Sequence, residues 1–249
     1  SVVIPAFNEA ERLPPSLRRI CSYLDGREAS SPPASGGADF EVIVVDDGSQ
    51  DDTAAAARDI GHPAVRVLEL GRNCGKGAAV RHGVLASLGD RVLLSDADLS
   101  TPIEDLERLE EHAGEAEVVL GSRAVADANV AVRQPLYREL MGKTFNLLIR
   151  TLGMTGIRDT QCGFKLLDGE VARELFRELT VDRFAFDVEL VLLARRRGYR
   201  VAEVGVTWRN SPASRVNAVT DSLAMFRDVL RLRLRRGPRG GARRRERHD

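Results

Sequence analysis

RVLLSDADLSTP, residues 91–102, carries a strand, a loop and a helix start in quick succession. The apolar run Val92-Leu93-Leu94 reads as a short buried strand closed by turn-forming residues. Thr101, Pro102 and Glu104 then combine an N-cap, a proline at the first helical position and an acid three residues after the cap, which predicts a helix. Between the two elements sit Asp96 and Asp98. Carboxylates that close repel and lose hydration unless a cation or several donors lie between them. Two readings stand at this point: a pair of solvated Asx turns, or a pair that shares a divalent metal.

Outward from that stretch the strand-then-helix unit repeats. Residues 2–5, 41–45, 65–70, 91–95, 118–121 and 201–208 read as strands, and residues 10–24, 52–60, 76–88, 102–112, 136–152, 169–179 and 187–197 as helices. Such alternation predicts an α/β fold, a mostly parallel sheet with helices on both faces. Arg195, Arg196 and Arg197 before Gly198 mark a helix C-terminus, with cations at the negative dipole end and a glycine to close it. Residues 26–39 are rich in Pro, Gly and Ser and read as a surface insertion, because a strand follows at once.

Ligands of such sheets bind at the carboxyl ends of the strands. Three loops fall there: Pro5-Ala6-Phe7-Asn8-Glu9, Asp46-Asp47-Gly48-Ser49 and Asp96-Ala97-Asp98. Acidic loops converging on one edge favour the metal reading, and a nucleotide diphosphate with a cation divides the labour among them. Carboxylates take base or ribose donors, the metal bridges an aspartate and the phosphates, and hard oxygen ligands suit Mg2+ or Mn2+. The loop Gly71-Arg72-Asn73-Cys74-Gly75-Lys76-Gly77 is not a P-loop, since too few residues separate its glycines and Gly77 stands where Ser or Thr is required. No GxGxxG opens a helix after the first strand, so ATPase and dinucleotide readings both fall.

With 249 residues, 43% of them hydrophobic, the chain can bury a substantial core. Net charge is zero, yet residues 231–249 hold nine arginines against two acids, so the body is acidic and the tail basic. Such a tail suits an anionic partner or a solvated, disordered end. Cys21, Cys74 and Cys162 are widely spaced and odd in number, which shows neither a disulfide framework nor a zinc-ligand spacing; a reducing compartment is expected. No run nears the roughly 18 apolar residues of a spanning helix. Ser1, not Met, opens the chain on an apolar run, so residues are expected to precede it, with a targeting segment left open.

Six motifs in chain order resemble the family 2 glycosyltransferases of the GT-A, Rossmann-like fold: SVVIPAFNEAERL, VIVVDDGSQDDT, GRNCGKGAAVRHG, SDADLSTP, VVLGSR and DTQCGFKLL. The last, with RFAFDVELVLLARRRGYRVAEVGVTW, is similar to the branch that makes dolichyl-phosphate glucose and related polyprenyl-phosphate sugars. The likeness runs from Ser1 to about Arg236. It implies that Pro5, Asn8, Glu9 and Asp47 line the nucleotide pocket, supported by Asp46 and Lys76. Asp96-Ala97-Asp98 matches the DxD motif, whose aspartates hold the metal and diphosphate. Asp46 also reads as a plain loop acceptor and Lys76 as a first-turn helix residue.

A lipid phosphate acceptor is already an anion near neutral pH, so cations matter more than a general base. Arg123, with Arg133 and Arg138 in VRQPLYREL, stands in the right part of the chain to meet it; the latter two also read as exposed helix charges. Asp159, Gln161 and Lys165 are expected to orient sugar hydroxyls or the acceptor, and Cys162 to pack as a small side chain. Asp187 and Glu189 begin a helix, where acids suit the dipole. The resemblance suggests sugar positioning or acceptor contact for Asp187, which joins Asp96, Asp98 and Arg123 as a catalytic candidate. Direct displacement predicts inversion.

The domain plan is a catalytic domain over 1–219, a C-terminal amphipathic helix over 220–236 and a disordered tail over 237–249. Leu223, Phe226, Leu230 and Leu234 recur at helical spacing with Arg227, Arg231 and Arg235 on another face. That pattern fits an interfacial helix on anionic lipid, or equally a core-facing helix with a basic exterior. The expected protein is a metal-dependent transferase moving glucose from UDP-glucose to a dolichyl- or undecaprenyl-type phosphate, peripheral on the cytoplasmic face of a membrane. A separate membrane partner stays open and nucleic acid is not expected. The alternatives are a GDP-mannose or UDP-amino-sugar donor, a soluble phosphorylated acceptor, or a non-catalytic nucleotide-sugar or nucleic-acid binding module.

Overall fold

Val42–Asp46 and Val118–Ser122 are buried along their whole length, as strands covered on both faces must be. The computed structural model describes residues 1–30, 40–126, 128–130 and 156–209, together with 225, 227–229 and 231–232. Seven strands form one sheet in the order β3-β2-β1-β4-β7-β5-β8, where β1 is Val2–Ala6, β2 Val42–Asp46, β3 Val65–Glu69, β4 Arg91–Leu94, β5 Val118–Ser122, β7 Lys165–Asp168 and β8 Val201–Gly205. Among the described strands of this sheet, only β7 runs antiparallel to its neighbours. A separate pair joins β6, Asn129–Val130, to β9, Thr207–Trp208.

The helices are α1 Leu13–Ser30, α2 Thr53–Arg58, α3 Lys76–Ala86, α4 Leu106–Glu110, α5 Gly169–Glu178 and α6 Phe186–Arg197. Successive strand side chains point to opposite faces, so β1 and β2 feed two cores. Val3, Ile43 and Val45 pack with buried residues of α3, α5 and α6. Val2, Ile4, Val42 and Val44 pack with Leu13, Leu17 and Ile20 of α1 and with Ile103, Leu106 and Leu109. Gly198 closes α6 in the left-handed region at φ 83°, as its three preceding arginines predict.

Four expectations are revised. The insertion begins later than residue 26, because α1 continues to Ser30. The predicted capping box fails: Pro102 holds ψ at 144°, so the helix opens one residue later as a 3₁₀ turn, Ile103–Asp105, with no side-chain cap, and Thr101 is buried instead. The single strand over 201–208 breaks at Val206: β8 ends at Gly205 in the main sheet and β9 begins at Thr207 in the small one. β7 was hidden inside the motif DTQCGFKLL, four residues too short to stand out by period.

The helix expected over 136–152, with Arg133 and Arg138, lies outside the described residues. So do residues 210–224 and 233–249, including Leu223, Leu234 and Arg235, and the single positions Phe226 and Leu230. The described part of 220–236 is helical, and Val229 and Leu232 are 1% and 7% exposed. Val229 belongs to the α5 and α6 core, so this turn packs as the core-facing reading requires. No helix among the described residues is long and apolar enough to cross a membrane.

Candidate active site

Strand order brings the predicted loops together. β1 lies between β2 and β4 and parallel to both, so the loops after residues 6, 46 and 94 open on one edge. β7, running the other way, begins at that edge: Lys165 is level with Leu94 on one side and Leu120 on the other. The 159–164 loop before it and Arg123 after β5 therefore reach the same place from distant parts of the chain.

The first two loops are knitted by side chains. Asn8, in the left-handed region at φ 54°, accepts the Gln50 N–H at 2.7 Å, and its own N–H reaches Ser49 Oγ at 2.9 Å. Glu9 N–H donates to Thr53 Oγ1 at 2.7 Å, while the Glu9 carboxylate takes Arg12 Nε at 2.7 Å. Asp46 is a buried loop acceptor for Ser49 N–H at 3.3 Å. Asp47 is buried too and accepts the N–H groups of Cys74 and Gly75 at 2.7 and 2.8 Å, which ties the 71–77 loop to β2. Burial pushes the Asp47 carboxyl up, against the pull of those two donors. Gly48, at φ 71°, has no room for a side chain, since a Cβ there would lie 2.3 Å from the Arg72 carbonyl carbon. Pro5 lines a narrow crevice with Lys76, Ser95, Asp96 and Asp187.

Asp96 and Asp98 are held differently. Lys76 Nζ bonds Asp96 Oδ1 at 2.7 Å, and the other oxygen lies where a Cβ on Gly163 would come within 2.1 Å of it. Burial would raise the Asp96 carboxyl, but Lys76 first, and Lys165 and Arg123 behind it, together hold the group below the usual carboxylate range. Asp98 Oδ1 accepts Ser100 N–H at 3.1 Å and Ser100 Oγ at 2.8 Å in an Asx turn, so that reading and a ligand role coexist in one residue. Asp98 Oδ2 lies 3.8 Å from Arg12 Nη1, linking the pair to Glu9. Ala97 between them is buried. No group of three His, Cys, Asp or Glu side chains that could hold a metal occurs among the described residues. Two partly exposed carboxylates with phosphate oxygens completing the shell are the usual Mg2+ or Mn2+ arrangement, so the donor set fits.

Two ion pairs lie beneath. Lys165, 1% exposed, donates to Asp187 Oδ1 at 2.6 Å and to the Cys162 carbonyl. Burial pushes the Asp187 carboxyl up, with Lys165 and Lys76 opposing. Lys165 is therefore no surface contact for a sugar, and Cys162 packs as predicted, free and buried. Arg123 binds Asp159 through Nε at 2.7 Å and Nη2 at 3.0 Å, and its guanidinium lies 5.6 Å from the Trp208 ring centre. Burial opposes charge on both partners, yet each holds the other ionised: Arg123 is raised and Asp159 lowered. Arg123 and Asp96 are near enough to feel each other's charge. Glu203 accepts the N–H groups of Arg158 and Asp159 at 2.9 and 2.7 Å. The Thr160 hydroxyl and the Gln161 amide nitrogen are buried without a hydrogen-bond partner among the described residues.

Glu189 is a loop anchor: its carboxylate takes Thr180 N–H, Thr180 Oγ1 and Val181 N–H at 2.8–2.9 Å. Sequence reasoning missed Arg12, Gly163, Glu203 and Trp208. All four lie inside motifs already singled out, but nothing in the local sequence names their partners.

The family model described as Glycosyl transferase family 2 matches residues 1–176. A human protein named dolichyl-phosphate beta-glucosyltransferase is 38% identical over 246 residues, 94% of this chain and 75% of that one. Its namesake from Saccharomyces cerevisiae is 30% identical over 254 residues, 94% of this chain and 74% of its own length. Among solved structures, glucosyl-3-phosphoglycerate synthase from Mycobacterium tuberculosis in complex with UDP aligns at TM-score 0.63 and 23% identity, covering 94% of this chain and 78% of that one. The same enzyme with Mn2+ and UDP-glucose aligns at TM-score 0.62 and 23% identity over 92% and 75%. These structures share the fold.

Proposed function

The chain belongs to glycosyl transferase family 2, and from that premise we propose that this glycosyltransferase moves glucose from UDP-glucose onto a polyprenyl phosphate, with inversion at the anomeric carbon. One observation carries the chemistry: a carboxylate pair, Asp96 and Asp98, and the guanidinium of Arg123, braced by Asp159, stand at one edge of the sheet. The relatives named for dolichyl phosphate and glucose support the substrates.

Pro5, Asn8 and Glu9 frame the nucleotide together with Asp46 and Asp47, the latter by fixing the 71–77 loop. Asp96 and Asp98 would hold Mg2+ or Mn2+, which when bound supplies charge neutralisation of the diphosphate. The acceptor oxygen is anionic near neutral pH and needs no strong base. Asp187, bonded to buried Lys165, then acts as a fixed counter-charge and not as a proton acceptor. Arg123 spends Nε and one Nη2 proton on Asp159 and keeps its remaining N–H groups for a phosphate oxygen. Gln161, whose amide nitrogen has no hydrogen-bond partner among the described residues, suits a sugar hydroxyl. Arg133 and Arg138 are assigned to the acceptor phosphate on sequence alone.

A lipid acceptor requires contact with a membrane, and the arginines of residues 231–249 suit the anionic cytoplasmic leaflet. The test is a donor panel: radiolabelled UDP-glucose, GDP-mannose and UDP-N-acetylgalactosamine, each offered with polyprenyl phosphate. Label reaching the organic phase from UDP-glucose is expected, with a β-linked product by NMR coupling. Label from another donor replaces the sugar assignment, and an α-linked product sinks inversion.

A further inference from the structure

Lys76 opens α3, an eleven-residue helix, and its ammonium sits on Asp96 Oδ1 at 2.7 Å. A divalent cation drawn to Asp96 and Asp98 meets an ammonium already bonded to one of its two carboxylates. The ammonium is held in a narrow crevice that Ser95, Asp96 and Asp187 line. Asp96 cannot swing aside freely either, because Gly163 backs its second oxygen. The positive charge has to move, and the flexible four-carbon stem of Lys76 lets its ammonium turn to an arriving phosphate. Asp187 lines the same crevice and is anchored by Lys165, so a second carboxylate stands there whether or not Asp96 holds Lys76.

We propose that Lys76 is a gate on the carboxylate pair: it occupies Asp96 until a nucleotide diphosphate offers its ammonium another anion, so divalent cation and nucleotide bind as a coupled pair. The inference rests on the reading that Asp96 takes a divalent cation beside a diphosphate. Two cations on one carboxylate repel, so the free protein binds the metal weakly. Once the diphosphate takes Lys76, Asp96 is released to the metal, and each ligand strengthens the other by the same factor.

The experiment is a titration of the full chain with Mn2+, read from the paramagnetic resonance of free Mn2+, with and without saturating UDP and, in parallel, GDP. Wild type is compared with Lys76→Met, Lys76→Gln and Arg72→Met. Arg72→Met removes the same charge from the same loop at an exposed position. Lys76→Met should bind Mn2+ without nucleotide about tenfold more tightly than wild type, while affinities with nucleotide differ little, so the coupling factor falls about tenfold. Arg72→Met should match wild type. Lys76→Gln, which keeps a donor in place, should fall between and serves if the methionine variant does not fold. Equal tightening with and without nucleotide means plain charge repulsion and overturns the gate, as does no tightening. Wild type that binds no Mn2+ even with UDP or GDP overturns the underlying reading, and the gate with it.

Discussion

Replacing Gly163 with alanine would push a methyl group against an Asp96 carboxylate oxygen, at a spacing of 2.1 Å that no side chain tolerates. The carboxylate must shift, and a displacement of about 1 Å in a catalytic group costs on the order of 100-fold in rate. Gly163→Ala should therefore cut metal-dependent transfer about 100-fold while the melting temperature moves little. Asp159→Asn makes a different prediction. It removes the charge that braces Arg123, and losing hydrogen bonds to a charged partner should cost about 2 kcal/mol in denaturant unfolding at pH 7. The Asp159 carboxyl lies below its unfolded value. Its contribution is present above the unfolded pKa of about 3.9 and is lost as pH falls through the lower folded value. Melting curves of wild type and Asp159→Asn should begin to approach each other below about pH 4 and converge only below the folded value. At this scale the acids were legible in sequence because strand ends announce them. Arg12 and Trp208 were not, because the partners that give them meaning, Asp98 and Arg123, lie 86 and 85 positions away.

The element that sequence period could not find, β7, matters most to the site. Its four residues join β4 to β5 in reversed direction and deliver the 159–164 loop to the edge where Asp96 ends its strand. Lys165, its first residue, pairs with Asp187 in the first turn of α6, so strand and helix are pinned by a buried ion pair. Breaking one partner leaves the other charge buried, at about 3–5 kcal/mol, whereas removing both is close to neutral. Lys165→Met alone should fail or melt early, and Lys165→Met with Asp187→Leu should recover most of the loss. A double variant no more stable than the single would remove the pair from its structural role. The strands β1 to β5 and α6 were readable from apolar runs and from the Arg-Arg-Arg-Gly ending. The break at Val206 was not, since nothing in the apolar run of 201–208 marks where one sheet yields to another.

For the whole molecule, a neutral sum conceals an acidic body and a basic end. The described C-terminal turn is anchored by Val229 and Leu232 in the core. Leu232→Ala should thus cost about 2–3 kcal/mol of stability. Deleting residues 237–249 should spare turnover in detergent and weaken binding to anionic vesicles; vesicle binding unchanged by the deletion would remove the tail from membrane contact. Fold class, and the edge where the candidate loops meet, were legible because the alternation of strands and helices fixes which ends share an edge. The donor was not, because it depends on contacts that spacing does not encode, and the acceptor was legible only through the resemblance of DTQCGFKLL to one branch of the family.

The measurement that bears most directly on the account offers labelled UDP-glucose with Mn2+ to a mixture of polyprenyl phosphate and a soluble sugar-acid phosphate, for wild type and Asp98→Ala. The account predicts label in the lipid fraction alone, dependent on Mn2+ and lost in Asp98→Ala. Label in the soluble fraction, or lipid label that survives in Asp98→Ala, would contradict it.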